Sequence, residues 1–391
     1  MDKAQLKKIF AEVAPDLSRK YKRYVEKRKF QDPRRQAIAE KFLLTAEQKA
    51  QVDCFFMTNY GEKINYVWHQ NFAAHAGRFD YRFFPELLYI PEFEAYQNNR
   101  KEAIAAFGDK NLLPIIAQAV GVKMPQTIVS CTHGVFRDCE NHIITPAMAE
   151  ELVKHESVGF VKPTVDSCSG EDCRIIHKDD NLTFYRNKLI INDINGIRGG
   201  NYKQDFVVQR LLVCHETIRA LYAGSVNSFR VITYLWKGQV EVMPLIIRIG
   251  QGGHYLDNAH QGGMFCAVYD DGTMGNHAVT EFNDQFKEHP DTHIVFATHR
   301  IAHINKVITA AKRMHAAIPQ LGVVNWDFTV DEGGEPVLIE ANCANGSVWL
   351  PQMAHGVGAF GERTAEVLQW LRFMKRLKPG ERERFVGGWM E

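Results

Sequence analysis

Between Gly322 and Leu350 the chain adopts a two-residue period. Val324, Trp326, Phe328 and Val330 alternate with Asn325, Asp327 and Thr329, and a second run sets Val337, Ile339 and Ala341 against Leu338, Glu340 and Asn342. The pattern predicts two strands. Asp331-Glu332-Gly333-Gly334 between them predicts a hairpin turn, because adjacent glycines supply the positive φ angles that tight turns require. A turn centred between Gly333 and Gly334 sets Asp327 directly opposite Glu340, with Asn342 following on the same face.

Elsewhere the periodicity is helical or broken. Residues 3–50 repeat apolar positions at helical spacing through Leu6, Phe10, Val13, Leu17, Tyr21, Tyr24 and Val25, punctuated by Pro15 and Pro33. The aromatic stretch Tyr81–Tyr96, interrupted by Pro85 and Pro91, reads as strand or loop buried against those helices. A helix is expected from Asn111 through Val120, a short hairpin around Gly134–Ile144, and another helix over Pro146–Val158. Strands follow at Gly159–Pro163, Asp205–Leu212, Ser228–Tyr234, Gln239–Ile249 and Met264–Val268. Helices are expected over Thr298–Ala317 and Glu362–Leu377, and the charged tail after Lys378 reads as loose.

Composition narrows the class. The chain has 391 residues, 45% of them hydrophobic, enough for two or three domains of an ordinary globular protein. A net charge of +1 argues against a dedicated nucleic-acid binder. The N-terminal sequence lacks a signal-peptide core and no apolar run approaches the roughly 18 residues that span a bilayer, so a cytoplasmic location is expected. The charge is uneven: thirteen Lys or Arg against six Asp or Glu fall in residues 1–41. Such a surface suits an anionic membrane or an acidic partner, and a solvated helix face suits the same residues. The eight cysteines contain no C-x-x-C pair and read as reduced thiols.

Candidate chemistry begins with the acidic pair. Opposed strand residues hold their Cβ atoms about 5 Å apart, so Asp327 and Glu340 would repel unless a cation lay between them. Mg²⁺ suits such oxygen donors, with Asn342 as a third. Taken alone, these residues fit a solvent-facing acidic hairpin equally well. Lys162 ends a strand that runs into Thr164-Val165-Asp166-Ser167-Cys168-Ser169-Gly170, a fixed ammonium followed by exposed backbone N–H groups, which suits a polyphosphate. Arg230 and Arg248 sit within apolar strands, where a guanidinium needs an anion: a phosphate, a substrate carboxylate or a structural partner. Asn258 lies in the polar, glycine-rich stretch 250–263. His299 and His303 are four apart but have no carboxylate partner at matching spacing. There is no G-x-x-x-x-G-K-[ST], and no G-x-G-x-x-G follows a predicted strand.

The order of these pieces resembles the ATP-grasp superfamily of carboxylate ligases, and WDFTVDEGGEPVLIEANCANGSVWLPQ is similar to its sugar-transfer-associated branch, over roughly residues 85–370. The resemblance implies an α+β ATP-grasp fold, two α+β subdomains gripping ATP behind a basic helical N-terminal extension. Its expected parts are a helical region (1–80), a preceding segment (81–126), a small subdomain with a phosphate lid (127–205), a large subdomain with the metal site (206–377) and a tail (378–391). By the same resemblance Lys110, Lys162, Ser167, Ser169 and Gly170 hold the phosphates of ATP. Gln209, Arg210 and Leu211 line the adenine pocket, with Glu216 a ribose candidate, and Asp327, Glu340 and Asn342 hold Mg²⁺. Arg248, Arg230, Asn258 and Lys162 act at the transferred phosphoryl group. The implied activity is joining a small-molecule carboxylate to an amine through an acylphosphate, with a role in cell-surface sugar conjugates. A kinase acting on a hydroxyl, or a nucleotide-binding partner of a membrane complex, are the alternatives.

Overall fold

The computed structural model describes residues 15–156, 158–164, 173–177, 181–185, 188–192, 200–202 and 205–391. The chain opens with helices α1 (Pro15–Lys29), α2 (Pro33–Glu40), α3 (Ala46–Asn59) and α4 (Val67–Ala76). Pro15 and Pro33 begin helices rather than ending them, since a first-turn N–H has no partner within the helix and proline's lack of one costs nothing there. Asp32 caps α2, and a Thr45–Gln48 capping box starts α3.

The aromatic stretch expected as strand or loop is helical instead: Glu86–Leu88, a wide π-helical turn over Tyr89–Glu94, then Ala95–Gln97. Every residue from Pro85 to Glu94 is buried. A helix buried on all sides has no polar face and hence no period to read, and Pro85 caps it while Pro91 sits in the widened turn.

After a helix at Lys101–Phe107 and α5 (Leu113–Ala119) comes a six-stranded antiparallel sheet. It comprises β1 (Thr127–Thr132), β2 (Val135–Arg137), β3 (Ile143–Ile144), β4 (Val158–Pro163), β5 (Arg174–His177) and, after a three-stranded sheet of β6 (Asn181–Tyr185), β7 (Lys188–Asn192) and β8 (Gly200–Tyr202), strand β9 (Phe206–Arg210). The order is β3-β2-β1-β9-β4-β5, and helix α6 (Pro146–His155) packs on it through Ala149 and Val153.

The larger sheet has eight strands: β10 (Phe229–Trp236), β11 (Gln239–Val242), β12 (Leu245–Ile249), β13 (Met264–Val268), β14 (Met274–Val279), β15 (Gln285–Phe286), β16 (Val323–Val330) and β17 (Pro336–Asn342). They run β15-β14-β13-β12-β10-β16-β17, with β11 paired to β10. Both faces are covered. Phe229, Val231, Ile247, Trp326 and Phe328 meet α7 (Ile304–Ala317) on one side. Ile232, Tyr234, Ile246 and Val323 meet the N-terminal helices, the π-helical turn, α8 (Trp349–His355) and α9 (Thr364–Arg376) on the other.

Two further expectations are corrected. Helix α7 starts at Ile304, not Thr298, because His303 has φ +66°, Ile301 donates to the Gly272 carbonyl and His299 Nε2 is 2.6 Å from the Thr217 carbonyl. The two histidines therefore share no helix face. The C-terminal tail is packed rather than loose: Arg382 is buried, its guanidinium 2.6 Å from Asp16, and Trp370 donates to the Phe385 carbonyl at 2.9 Å. No helix among the described residues is long and apolar enough to cross a membrane. Five of the described free cysteines are buried, while Cys54 and Cys139 are exposed.

Candidate active site

The polar row that defines the site runs across four neighbouring strands. Arg230 on β10 pairs in register with Asp327 on β16, and Asp327 pairs with Glu340 on β17. Arg248 on β12 joins from the next strand, with Nη2 3.0 Å from Asp327 Oδ2. All project from the face that buries Ile232 and Ile246 further along, so the row stands where that apolar core gives way to a cavity.

The register between Asp327 and Glu340 is the one expected, but it arises differently. Asp331 donates to the Glu335 carbonyl and only Gly334 of the glycine pair has positive φ, at +77°, so the turn is centred on Gly333. That centring pairs Phe328 with Leu338, and a bulge between Asp327 and Phe328 then restores the Asp327–Glu340 pairing. A one-residue slip would have sent one carboxylate to the opposite face.

Both arginines are committed to Asp327. Arg230 grips it with two hydrogen bonds, Nε to Oδ1 at 2.6 Å and Nη2 to Oδ2 at 3.3 Å. Arg248 also donates to Ser228 Oγ at 2.6 Å and lies 3.5 Å from Asp257. Asp257 in turn accepts from the Ser228 amide at 2.8 Å. Burial opposes the Asp327 charge, yet the two guanidinium groups hold its carboxyl below the usual range. Glu340 is pushed up, first by burial and then by Asp327 beside it. The Asp327 charge thus disfavours a second negative charge at Glu340.

That is the position a divalent cation would neutralise. Asn342 Nδ2 lies 3.3 Å from Glu340 Oε1 and 3.5 Å from Asp327 Oδ2, so the three side chains converge. Among the described residues no three His, Cys, Asp or Glu side chains cluster as a metal site. A cation here would therefore rest on two carboxylates and a carboxamide oxygen, a hard donor set that fits Mg²⁺.

Lys110 and Lys162 line the same cavity, of about 670 Å³, and both are buried. Lys162 ends β4, where its Nζ reaches the Ile339 carbonyl at 3.4 Å. Burial pushes its ammonium down to about 8; Glu340 works against the shift and Lys110 adds to it. The Lys110 amide donates to the Thr164 carbonyl, which fixes the start of α5 beside the end of β4.

The cavity continues past β9. Gln209 is buried on its wall with Nε2 3.3 Å from the Pro125 carbonyl. Arg210 and Leu211 also line the wall, with the Arg210 side chain ion-paired to Glu156 at 2.7 Å and Leu211 exposed. Glu216 is exposed at the start of a short helix, Glu216–Arg219, and does not line the cavity. Ser167, Ser169 and Gly170 lie outside the described residues. Asn258 also lines the cavity, where its side chain accepts from the His260 amide at 3.0 Å and caps a 3-10 turn.

Sequence reading missed several residues that line this space or support it. Asp257 and Ser228 were hidden because their contacts with each other and with Arg248 depend on how the loop after β12 folds back against β10. Cys173, Tyr255, His260 and Trp349 also line the cavity. The loop after Asn342 is held by two buried glutamates from the π-helical region: Glu94 accepts from the Asn345 and Gly346 amides at 2.7 and 2.6 Å, and Glu86 from those of Val348 and Trp349 at 2.7 and 2.8 Å. Acidic residues inside an aromatic run were the available signal.

No curated protein matches the chain. Among solved structures it is similar to L-amino acid ligase from Bacillus licheniformis, at 13% identity and a TM-score of 0.35, covering 73% of this chain and 52% of that one. It is also similar to N5-carboxyaminoimidazole ribonucleotide synthetase from Thermotoga maritima, at 9% identity and a TM-score of 0.34, covering 63% of this chain and 44% of that one. VanG D-Ala:D-Ser ligase from Enterococcus faecalis gives 10% identity and a TM-score of 0.39, covering 69% and 63% respectively. The chain thus spans about half the length of the first of these proteins. The model of one family, sugar-transfer associated ATP-grasp, matches residues 91–367, most of the chain, and the protein belongs to that family with its α+β ATP-grasp fold.

Proposed function

We propose that this protein is a Mg²⁺- and ATP-dependent ligase that activates a small-molecule carboxylate as an acylphosphate and couples it to an amine, releasing ADP and phosphate. The observation that carries the reading is the meeting, in one cavity, of the Lys110–Lys162 pair with the row Arg248, Arg230, Asp327, Glu340 and Asn342. Two ammonium groups and two carboxylates lining one cavity suit a polyphosphate with a cation between. In this reading the sheet carrying Lys162 and the sheet carrying the acidic row are the cores of the two subdomains that grip ATP, with adenine against Gln209; the boundary expected at 205/206 moves past Arg210, because β9 pairs with β1 and β4 of the smaller sheet.

A bound Mg²⁺ would supply charge neutralisation at the phosphates. The protein's own part is placement: Lys110 and Lys162 fix the polyphosphate, and Arg248 and Arg230 hold Asp327 charged and in place for the cation. Phosphoryl transfer depends chiefly on such positioning and charge, with no protein nucleophile required. Coupling within cell-surface sugar conjugates is the substrate context we propose.

The test is ADP release from Mg²⁺-ATP across amino acids, uronic acids and nucleotide sugars with hydroxylamine present. ADP accompanied by a hydroxamate supports the ligase. ADP with a stable phosphorylated hydroxyl product would instead make the protein a kinase, and no ADP with any acceptor would contradict turnover on these substrates.

A further inference from the structure

His260 lines the same cavity, in the turn that Asn258 caps. Its Nδ1 is 2.6 Å from Glu281 Oε2, and the tautomer that donates from Nδ1 to that carboxylate leaves the lone pair on Nε2. Among the described residues Nε2 has no hydrogen-bond partner. The ring is tilted against the Trp349 indole, with centroids 6.0 Å apart, and about half of the side chain remains open to solvent at the mouth of the cavity.

Glu281 is a built partner rather than a passing one. It is buried, and Arg35 of α2 pairs with its second oxygen. Burial opposes its charge, while His260 and Arg35, with Arg34 nearby, hold the carboxyl below its ordinary range. Arg35 is itself fixed, since its backbone carbonyl accepts from Asn71 at 3.3 Å and its guanidinium lies over Phe30. The N-terminal helices thus reach the site through a chain of contacts: Arg35, Glu281, His260, cavity. A buried carboxylate that orients an imidazole, leaving the second nitrogen open to a substrate cavity, is the arrangement of a general base. Neither the acidic row nor the lysine pair provides one, because those groups are taken up by each other and by the phosphates.

We propose that His260 is the general base for the amine in the second half of the reaction, with Glu281 and Arg35 as positioning residues. The inference rests on the ligase reading. In that step the nitrogen lone pair forms the new N–C bond to the acyl carbon, the bond from that carbon to the phosphate oxygen breaks, and inorganic phosphate leaves with the electron pair. The proton lost by nitrogen passes to Nε2 of His260 and from there to water.

The test compares two nucleophiles on the same acid panel. Hydroxylamine is a strong nucleophile of low basicity and traps the acylphosphate without needing a base; amino acids and amino sugars serve as ordinary amines. In His260→Ala the ratio of amide to hydroxamate is expected to fall by about 10²-fold or more, and imidazole in the buffer to restore part of it. Glu281→Gln, which keeps an acceptor but removes the charge, is expected to lower the same ratio less and to shift the pH profile of amide formation. A ratio unchanged within threefold in His260→Ala, or a loss shared equally by both products with no rescue by imidazole, overturns the base. Wild-type protein that gives hydroxamate but no amide with any amine also overturns it. Wild-type protein that gives no hydroxamate at all overturns the ligase reading beneath it.

Discussion

Asp327 is the residue on which most of the site's charge converges, and its removal has a calculable sign. It is nearly inaccessible and balances both Arg230 and Arg248. Asp327→Ala would leave two largely buried guanidinium groups without their shared partner, a loss of up to about 3–5 kcal/mol, read as a lower midpoint in urea denaturation. Arg230→Met combined with Asp327→Ala should cost less than the two changes summed, since the pair is removed together. Lys162 gives a second prediction. With its ammonium pushed down to about 8, the nucleotide-free protein loses that proton as pH rises through the value. Phosphate binding favours the charged form, so ATP affinity should fall by up to about tenfold per pH unit above 8, with proton uptake on binding. Calorimetry in buffers of different ionisation enthalpy measures both, and Lys162→Met should abolish the dependence. The sequence revealed that Arg230 and Arg248 each needed an anion, because a guanidinium in an apolar strand does. It could not reveal that one carboxylate serves both, since Asp327 lies 97 and 79 residues away from them. His260 escaped for the same reason: Arg35 is 246 residues from Glu281, and only the fold brings them together.

At the scale of elements, the β16–β17 hairpin was legible because one face alternates apolar and polar residues and its turn carries glycine. The bulge that corrects its register was not, because nothing local marks it. The π-helical region was misread since burial on every side erases periodicity. That region nonetheless holds the loop after Asn342, which yields a pH prediction. Burial, aided by Glu26, pushes Glu86 up to about 8, and burial pushes Glu94 up to about 7. A carboxyl raised in the folded state stabilises fully below its unfolded pKa, and that contribution is lost as pH rises through the folded value. The melting temperature should therefore decline between about pH 5 and 8 from these two groups, and the double variant E86Q/E94Q should flatten the slope. An equal slope in the variant would assign the pH dependence elsewhere. Gly346 is constrained by the same contacts: a Cβ there would lie 2.0 Å from Asn325 Nδ2. Gly346→Ala should displace the loop and weaken function more than stability.

Across the whole molecule, the N-terminal helices and the C-terminal tail are parts of the body rather than appendages. Part of the basic character that the sequence suggested for a membrane or acidic partner is engaged internally, while Lys20, Lys27, Arg28, Lys29, Arg34 and Lys41 stay exposed. Arg23 pairs with Glu92, Arg35 with Glu281, and Arg19 bonds to Tyr96. Charge counting could not separate an outward basic face from inward ion pairs. The tail looked loose because its residues are polar, yet Gly387 donates to Gln97 at 3.0 Å and accepts from the Lys237 amide at 2.6 Å. Removing residues 378–391 should lower the melting temperature by roughly 3 °C or more, at a few degrees per kcal/mol lost; an unchanged value would show that these contacts add nothing.

The central claim is that the lysine pair and the acidic row hold Mg²⁺-ATP between them. Titration calorimetry of ATP with and without Mg²⁺, on wild type and on Glu340→Gln, tests it most directly. The account predicts that Mg²⁺ strengthens ATP binding in the wild type and that this gain largely disappears in Glu340→Gln. ATP binding equally strengthened by Mg²⁺ in both proteins would contradict it.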